Sequence, residues 1–458
     1  MGTERPGNGR PGNERPDAAA MIDAVLDDGT WCSWDRSTEP ESVCTGSGRV
    51  GGRPIALVVS EFGVSGGSIG ATAGARIVEA VRRATAERLP LLALPASGGT
   101  RMQEGTPAFL QMAAITAAVA EHRDAGLPYL VYLRHPTTGG VFASWGSLGD
   151  VTWAQPGALT GFLGPKVYAG IHGRQFPAGV QTAENLHRLG FVDDVVDHRR
   201  LGARVASVLA ALDPAAAAVR HEAAGPLAAK VDDAWSAVAA TRDRMRPGLT
   251  ELETHLGAVR LAGDGPIRIA LARFGGRPVV LAGQDRRIQS EGRSISADAL
   301  RVARRGIALA VRWGLPLVTV VDTSGGELSR AAEESGLARQ IAACTMELLS
   351  AATPTASVLL GQGTGGAALA MFPADRVIGA ADGWLAPLPP EGASVIMHGD
   401  VGHAAEMARA QHVWVRELRR LGIVDEVVTT LDETVAAIDR WIATDPVADR
   451  SGRVRVGR

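Results

Sequence analysis

Two long stretches of this chain carry the same series of elements in the same order, and no other feature restricts its fold as tightly. Gly52-Arg53-Pro54 leads into the apolar run IALVVSEF, and Gly276-Arg277-Pro278 leads into VVLAGQD. Each run gives way to a loop bearing glycine or serine, then to a helical stretch: ATAGARIVEAVRRATAERL in one half, SADALRVARRGIALAVRWGL in the other. A Leu-Pro step enters a strand that ends in Ser-Gly-Gly, at Gly99 and at Gly326. A second helix and another short strand follow, closing on Thr138-Gly139-Gly140 and Thr364-Gly365-Gly366. Ser97 lies 42 positions before Gly139, and Ser324 lies 41 before Gly365. Both halves finish alike, on LGFVDDVV (189–196) and LGIVDEVV (421–428). Such agreement makes the halves tandem copies of one domain. Short strands alternating with helical patterns make that domain α/β.

The 458 residues exceed one ordinary core. Residues 1–18, rich in Gly, Pro, Asn and Arg, read as a disordered tail. A first domain over 19–212 is followed by a linker, 213–230 (DPAAAAVRHEAAGPLAAK), bracketed by Pro214 and Pro226, and by a second domain over 231–458. A formal net charge of −2 offers no bulk basic surface to a nucleic acid. Three cysteines, Cys32, Cys44 and Cys344, with no CxxC pair, make neither a disulfide scaffold nor a zinc ribbon. With no signal peptide and no apolar run of membrane length, the expectation is a soluble cytoplasmic protein.

Familiar catalytic sets are absent: there is no GxxxxGK[ST] and no HExxH. GQGTGG (361–366) matches GxGxxG without an acidic partner some twenty residues on, and GVSGG (63–67) matches GxSxG without Asp and His in the expected order. The ten histidines show no metal-ligand spacing. The Thr-Gly-Gly turns are the candidates. Consecutive N–H groups at a strand-to-helix turn can hold an oxyanion such as a thioester enolate, and one turn per half would serve two such anions. The alternative is that Gly-Gly permits tight helix–strand packing; repetition at matched positions favours the site.

These residues resemble bacterial acetyl-CoA carboxylase carboxyltransferase, with β-like and α-like parts fused. The β-like motifs are GGSIGATAGARI (66–77), SGGTRMQEG (97–105), GLPYLVYLRHPTTGGVFASWGSLGD (126–150) and PGALTGFLGPKV (156–167). The α-like motifs are AWSAVAATRDRMRP (234–247), FGGRPVVLAG (274–283), DTSGG (322–326), GQGTGGAALA (361–370) and PPEGASVI (389–396). The resemblance covers roughly residues 20–430 and implies two tandem crotonase-like (ββα superhelix) domains.

It also implies a chemistry. Carboxybiotin, brought on a biotin carboxyl carrier protein by a separate biotin carboxylase, loses CO2, and the biotin nitrogen takes the α-proton of an acyl-CoA. The enolate then attacks CO2, giving a malonyl-type thioester. By the resemblance, Gly139 and Gly140 hold the enolate, Gly366 and Ala367 face biotin, and Gly66, Gly67, Gly98, Gly99, Gly325 and Gly326 line the substrate loops. A homodimer is implied, with no nucleic acid and no membrane as partners. Because the β subunit's four-cysteine zinc ribbon has no counterpart here, no zinc or other metal is expected. Alternatives are a malonyl-thioester decarboxylase of the malonate decarboxylase type and an inactive scaffold.

Further departures from the family pattern are His135, commonly Asp, and Gly363-Thr364-Gly365-Gly366-Ala367-Ala368 in place of Gly-Gly-Ser-Gly-Gly-Ala. His135 either alters the site or is a solvated loop residue. Arg286, Arg287 and Arg293 either pair with CoA phosphates or form a solvated basic loop. Trp145, Trp153 and Trp384 read as core or interface, and Met102 and Gln103 as packing the helix that follows them.

Overall fold

The computed structural model describes residues 15–37, 39–222 and 226–454. The chain divides into two compact units, Met1–Ala210 and Ala211–Arg458. In the first, a seven-stranded sheet runs in the order Cys32–Ser33, Val43–Val50, Arg53–Ser60, Leu91–Leu94, Tyr129–Leu133, Val151–Ala154 and Asp194–Val195. The first three strands are antiparallel and all later pairings are parallel. The second unit repeats this order with Val259–Ala262, Ile267–Phe274, Arg277–Gln284, Leu317–Thr323, Thr355–Thr364, Arg376–Ala380 and Glu426–Val428, and an eighth strand, Trp384–Ala386, pairs in parallel with Thr355–Thr364.

The central strands are continuous apolar runs because both faces are covered, as parallel strands require. All of Leu91–Leu94 and Tyr129–Leu133 is buried. The helix Ala71–Ala86 contributes Ala73, Ile77, Ala80, Val81 and Ala84, an i, i+4, i+7 stripe, to the first core. Its counterpart Ala297–Trp313 begins with the Ser296 hydroxyl accepting from the Ala299 N–H at 3.2 Å and stops at left-handed Gly314. Trp145, Trp153 and Trp384 are fully buried.

Two expectations need correction. Residues 1–14 of the proposed tail lie outside the described residues, but Asp17 caps the helix Ala18–Val25, accepting the Ala20 N–H at 2.8 Å. That helix buries Ala18, Met21, Ile22 and Val25 along one face, so its start belongs to the fold. Met102 and Gln103 are exposed rather than packed, because left-handed Gly105 turns the chain away before the helix Thr106–Asp124. Their neighbours make the contacts: Glu104 accepts the Ala71 N–H at 2.6 Å, and Arg101 pairs with Glu41. The 213–230 segment has no helix beyond Leu212 and no strand among its described residues, and its Leu227 is buried in the second core.

One buried carboxyl sets a pH dependence. Asp382 is fully buried; one oxygen accepts the Ala229 N–H at 3.0 Å and the other has no partner among the described residues. Burial pushes its pKa up. The folded state therefore holds this proton where the unfolded chain, titrating near 4, has released it, so stability falls as pH rises above about 4. Asp382→Asn is expected to raise the thermal midpoint at pH 7 and to flatten its decline above about pH 4. A midpoint at pH 7 equal to or below the wild type would contradict this.

Candidate active site

In the first unit, the strand Thr137–Thr138 leaves the sheet and pairs in parallel with Thr160–Gly161, and the helix Gly139–Phe142 starts at once. Gly139 makes this abrupt start possible with φ +63°. Three glycine pairs meet here. The Gly98 N–H donates to the Gly66 oxygen at 3.2 Å, and a Cβ on Gly99 would stand 3.5 Å from the Gly140 nitrogen. A Cβ on Gly67 would fall 1.9 Å from the Ala96 oxygen, so no side chain fits there. The Gly99 N–H is also committed, to the Ser97 hydroxyl at 3.0 Å. The 66–67 and 98–99 loops therefore give shape rather than donors.

The donors are distributed otherwise than the sequence suggests. The Gly139 N–H donates to the Phe162 oxygen at 3.0 Å and is spent. The N–H groups of Gly140 and Val141 start the helix with no acceptor among the described residues.

The second unit builds the same turn. Thr364 ends its strand, Gly365 takes φ +64°, and the helix Gly365–Leu369 follows. Gly366 and Ala367 are the second and third residues of that helix, with N–H groups lacking an acceptor among the described residues. A Cβ on Gly326 would lie 3.9 Å from the Ala367 Cβ, and one on Gly325 3.8 Å from Thr364, so these loops too sit against the turn.

Superposing the repeats by pairing register corrects the sequence alignment. Ile69 and Ile295, Leu91 and Leu317, Tyr129 and Thr355, and Gly139 and Gly365 are matched, each pair 226 positions apart. The left-handed loop glycines are Gly99 and Gly325, and the hydroxyl that holds each one's N–H belongs to Ser97 in one unit and Thr323 in the other. Ser97 thus matches Thr323, not Ser324, and the apparent one-residue difference in spacing disappears. By the same register Gly366 and Ala367 match Gly140 and Val141, whereas the sequence reading named Gly139 and Gly140.

Behind the second turn lies a polar network with no sequence-level forecast. Asp322 receives both Nη2 hydrogen bonds of Arg246 at 2.8 Å and the Gln362 N–H at 3.1 Å; its own N–H donates to Gln284 Oε1 at 3.1 Å. The Gln284 amide donates to the Ala367 oxygen at 2.8 Å, which fixes the peptide group next to the candidate donor. The matched position in the first unit is buried Ala96, so the network belongs to the second unit alone.

His135 is partly buried and its ring is engaged with the backbone. Its Nδ1 accepts the Leu159 N–H at 3.0 Å, and the Leu159 oxygen in turn accepts from the Thr137 N–H at 2.9 Å. Burial, then the Arg15 guanidinium nearby, push its pKa down, so the ring is neutral and braces the segment that carries Phe162. His135→Ala, which strands the Leu159 N–H, is expected to cost about 1–3 kcal/mol in urea unfolding. His135→Asn, able to accept the same bond, should recover most of it; equal losses in both would remove the bracing role.

Of the three arginines, Arg287 pairs with Glu251 at 2.7 Å and Arg293 donates to the Asp264 oxygen at 3.0 Å, while Arg286 is buried. Sequence spacing gave no metal ligands, yet His398, His403 and Glu406 bring ligand atoms within 4.8 Å of one another, all exposed.

Comparison with known proteins agrees with this architecture. Residues 32–233 match the carboxyl transferase domain family, and residues 233–441 match the acetyl co-enzyme A carboxylase carboxyltransferase-like family. The chain is 53% identical over 437 residues to the probable biotin-dependent acyl-coenzyme A carboxylase beta3 subunit of Mycobacterium tuberculosis, covering 88% of this chain and 87% of that one. It is 38% identical over 413 residues to the acetyl-coenzyme A carboxylase carboxyl transferase subunits beta/alpha of Salinispora arenicola, covering 85% and 73%. In fold it matches the transcarboxylase 12S subunit, with TM-score 0.78 at 20% identity over 94% of this chain and 90% of that one. Two tandem crotonase-like domains are thereby established as its fold. With identity of this extent along nearly the whole length, the chain belongs to the carboxyltransferase subunits of biotin-dependent acyl-CoA carboxylases.

Proposed function

We propose that the protein transfers a carboxyl group between biotin on a carrier protein and an acyl-CoA, acetyl-CoA or a related thioester, to give a malonyl-type CoA. The observation that carries this is the repeated turn: one chain of this family presents, at matched positions, two N–H pairs with no acceptor among the described residues. In the first unit Gly140 and Val141 hold the enolate oxygen of the acyl thioester, and Gly139 shapes the turn with its own N–H tied to Phe162. In the second, Gly366 and Ala367 hold the ureido oxygen of biotin, kept in place through Gln284. Bound biotin supplies the carboxyl group and, once that has left, a ring nitrogen as base. The chain's own share is electrostatic: fixed donors aimed where negative charge develops need no reorganisation during the reaction.

Exposed apolar side chains in both units support a homodimer. Phe162, Val167 and Ile171 in the first unit, and Val395, Ile396 and Met397 in the second, are large apolar side chains left exposed. Patches of this kind mark interaction surfaces. Light scattering at micromolar concentration is expected to give twice the chain mass, and a monomer would count against a shared interface.

The reaction is tested by malonyl-CoA turnover with and without free biotin, with mass analysis of the CoA products. Biotin-dependent formation of acetyl-CoA supports carboxyl transfer run in reverse. Biotin-independent release of CO2 would replace this reading with a decarboxylase. No turnover of malonyl-CoA or methylmalonyl-CoA would leave an unusual substrate or the scaffold reading.

A further inference from the structure

We propose that His398, His403 and Glu406, in the second unit, form a binding site for a divalent transition-metal ion of the zinc class. All three are exposed, and each offers a ligand atom that lies within 4.8 Å of the other two. His398 is the last residue of the helix Pro390–His398, His403 precedes the helix Ala404–Ala410, and Glu406 stands in that second helix's first turn.

The backbone between the ligands is fixed from within. Left-handed Gly399, φ +86°, ends the first helix. The hydroxyl of Ser394, a wholly buried residue, donates to the Asp400 oxygen at 2.6 Å and accepts the His403 N–H at 3.1 Å. One side chain of the first helix thereby sets the start of the second. Ala404, Met407 and Ala408 are buried, which turns His403 and Glu406, three positions apart, toward solvent on one face. His403 Nδ1 and Glu406 Oε2 are 3.1 Å apart. That is near the roughly 3.3 Å between two ligands of a tetrahedral ion with bonds of about 2.0 Å. The His398 and His403 rings stack with centroids 4.2 Å apart, so rotating exposed side chains brings in the third ligand.

Two imidazole nitrogens and one carboxylate oxygen suit zinc and its transition-metal neighbours, with one coordination position left to water. Magnesium and calcium, which take oxygen ligands, suit the set poorly. The repeat supplies a comparison within the chain. His172 also ends its helix before a left-handed glycine, Gly173, 226 positions ahead of the pair His398 and Gly399. Five and eight positions further on, that copy has Pro177 and Val180 where the second has His403 and Glu406. The imidazole of His172 stacks on Tyr168 instead, with centroids 4.4 Å apart. One histidine is common to both copies, and the two further ligands belong to the second alone. An ion held there pins the end of the helix that exposes Val395, Ile396 and Met397.

None of the three ligands belongs to a Thr-Gly-Gly turn, and the site stands apart from the proposed reaction. The test is equilibrium dialysis of untagged full-length protein, first stripped with a chelator, against zinc, with bound metal counted by elemental analysis. One zinc ion per chain is expected at about 100 μM free zinc or less. His398→Ala, His403→Ala and Glu406→Gln are each expected to weaken binding about tenfold or more, whereas His172→Ala should leave it unchanged. All four side chains are exposed, so every variant should keep the metal-free thermal midpoint. Zinc should raise that midpoint in the wild type and raise it less in the three ligand variants. Millimolar magnesium should not displace the ion. No bound zinc at that concentration, or binding unchanged in all three ligand variants, would overturn the site. Displacement by magnesium would overturn its assignment to the zinc class.

Discussion

Replacing Gly140 by proline is expected to lower kcat/KM for the acyl-CoA by about 10²- to 10³-fold while the fold survives. The substitution deletes one N–H, and a single donor of this kind typically stabilises a transition state by about 2.7–4 kcal/mol. Structurally it should be mild. Proline is tolerated in the first turn of a helix, and this N–H has no acceptor among the described residues to lose. A Cβ at 140 would approach the Met112 Cγ at 3.3 Å and the Thr100 hydroxyl at 3.4 Å, both side-chain atoms able to yield. The thermal midpoint should move by only a few degrees, which corresponds to about 1 kcal/mol in a domain of this size. Activity within threefold of wild type would show that the Gly140 N–H is not a donor to the reacting group.

The second large effect is expected at Asp322. Its side chain is wholly inaccessible, and that of its partner Arg246 is 5% exposed. Removing one member of such a pair leaves a buried charge unmatched, at about 3–5 kcal/mol. Asp322→Ala is therefore expected to lower the midpoint of the second unit by roughly 6–20 °C. The Arg246→Met, Asp322→Leu double variant should lose much less, because neither charge is then stranded. If the single variant were as stable as wild type, the pair would not be the strut described here. The loss should reach the site as well, since Asp322 also holds the Gln362 N–H two residues before Thr364.

The duplication, the α/β class and the two glycine turns were legible because they rest on local chemistry. Glycine at 139 and 365 answers a backbone demand, positive φ, that the chain declares by residue type. What stayed hidden depended on partners distant in sequence. That Gly139 gives its N–H to Phe162 follows from the Thr137–Thr138 and Thr160–Gly161 pairing, which no motif announces. The alignment of Ser97 with Ser324 failed because Ser-Gly-Gly occurs in both halves one step out of phase, while the function that matches is a hydroxyl, supplied by serine in one and threonine in the other. Asp322 and Arg246 left a faint trace, an acid inside the apolar run LVTVVDT, but their pairing across 76 positions was visible only in three dimensions. Met102 looked like core by type and is solvent-facing by geometry.

The unbroken register between the repeats also has a practical meaning. From Ile69 to Gly140 and from Ile295 to Gly366 neither copy has gained or lost a residue relative to the other. The two segments are therefore cassettes of equal length, exchangeable without loop repair. A chimera carrying the first cassette in both places would keep both turns while bringing Ala96 where Asp322 stands, leaving Arg246 without its acid. Whatever such a chimera loses in the second position measures what that site acquired after the copies parted.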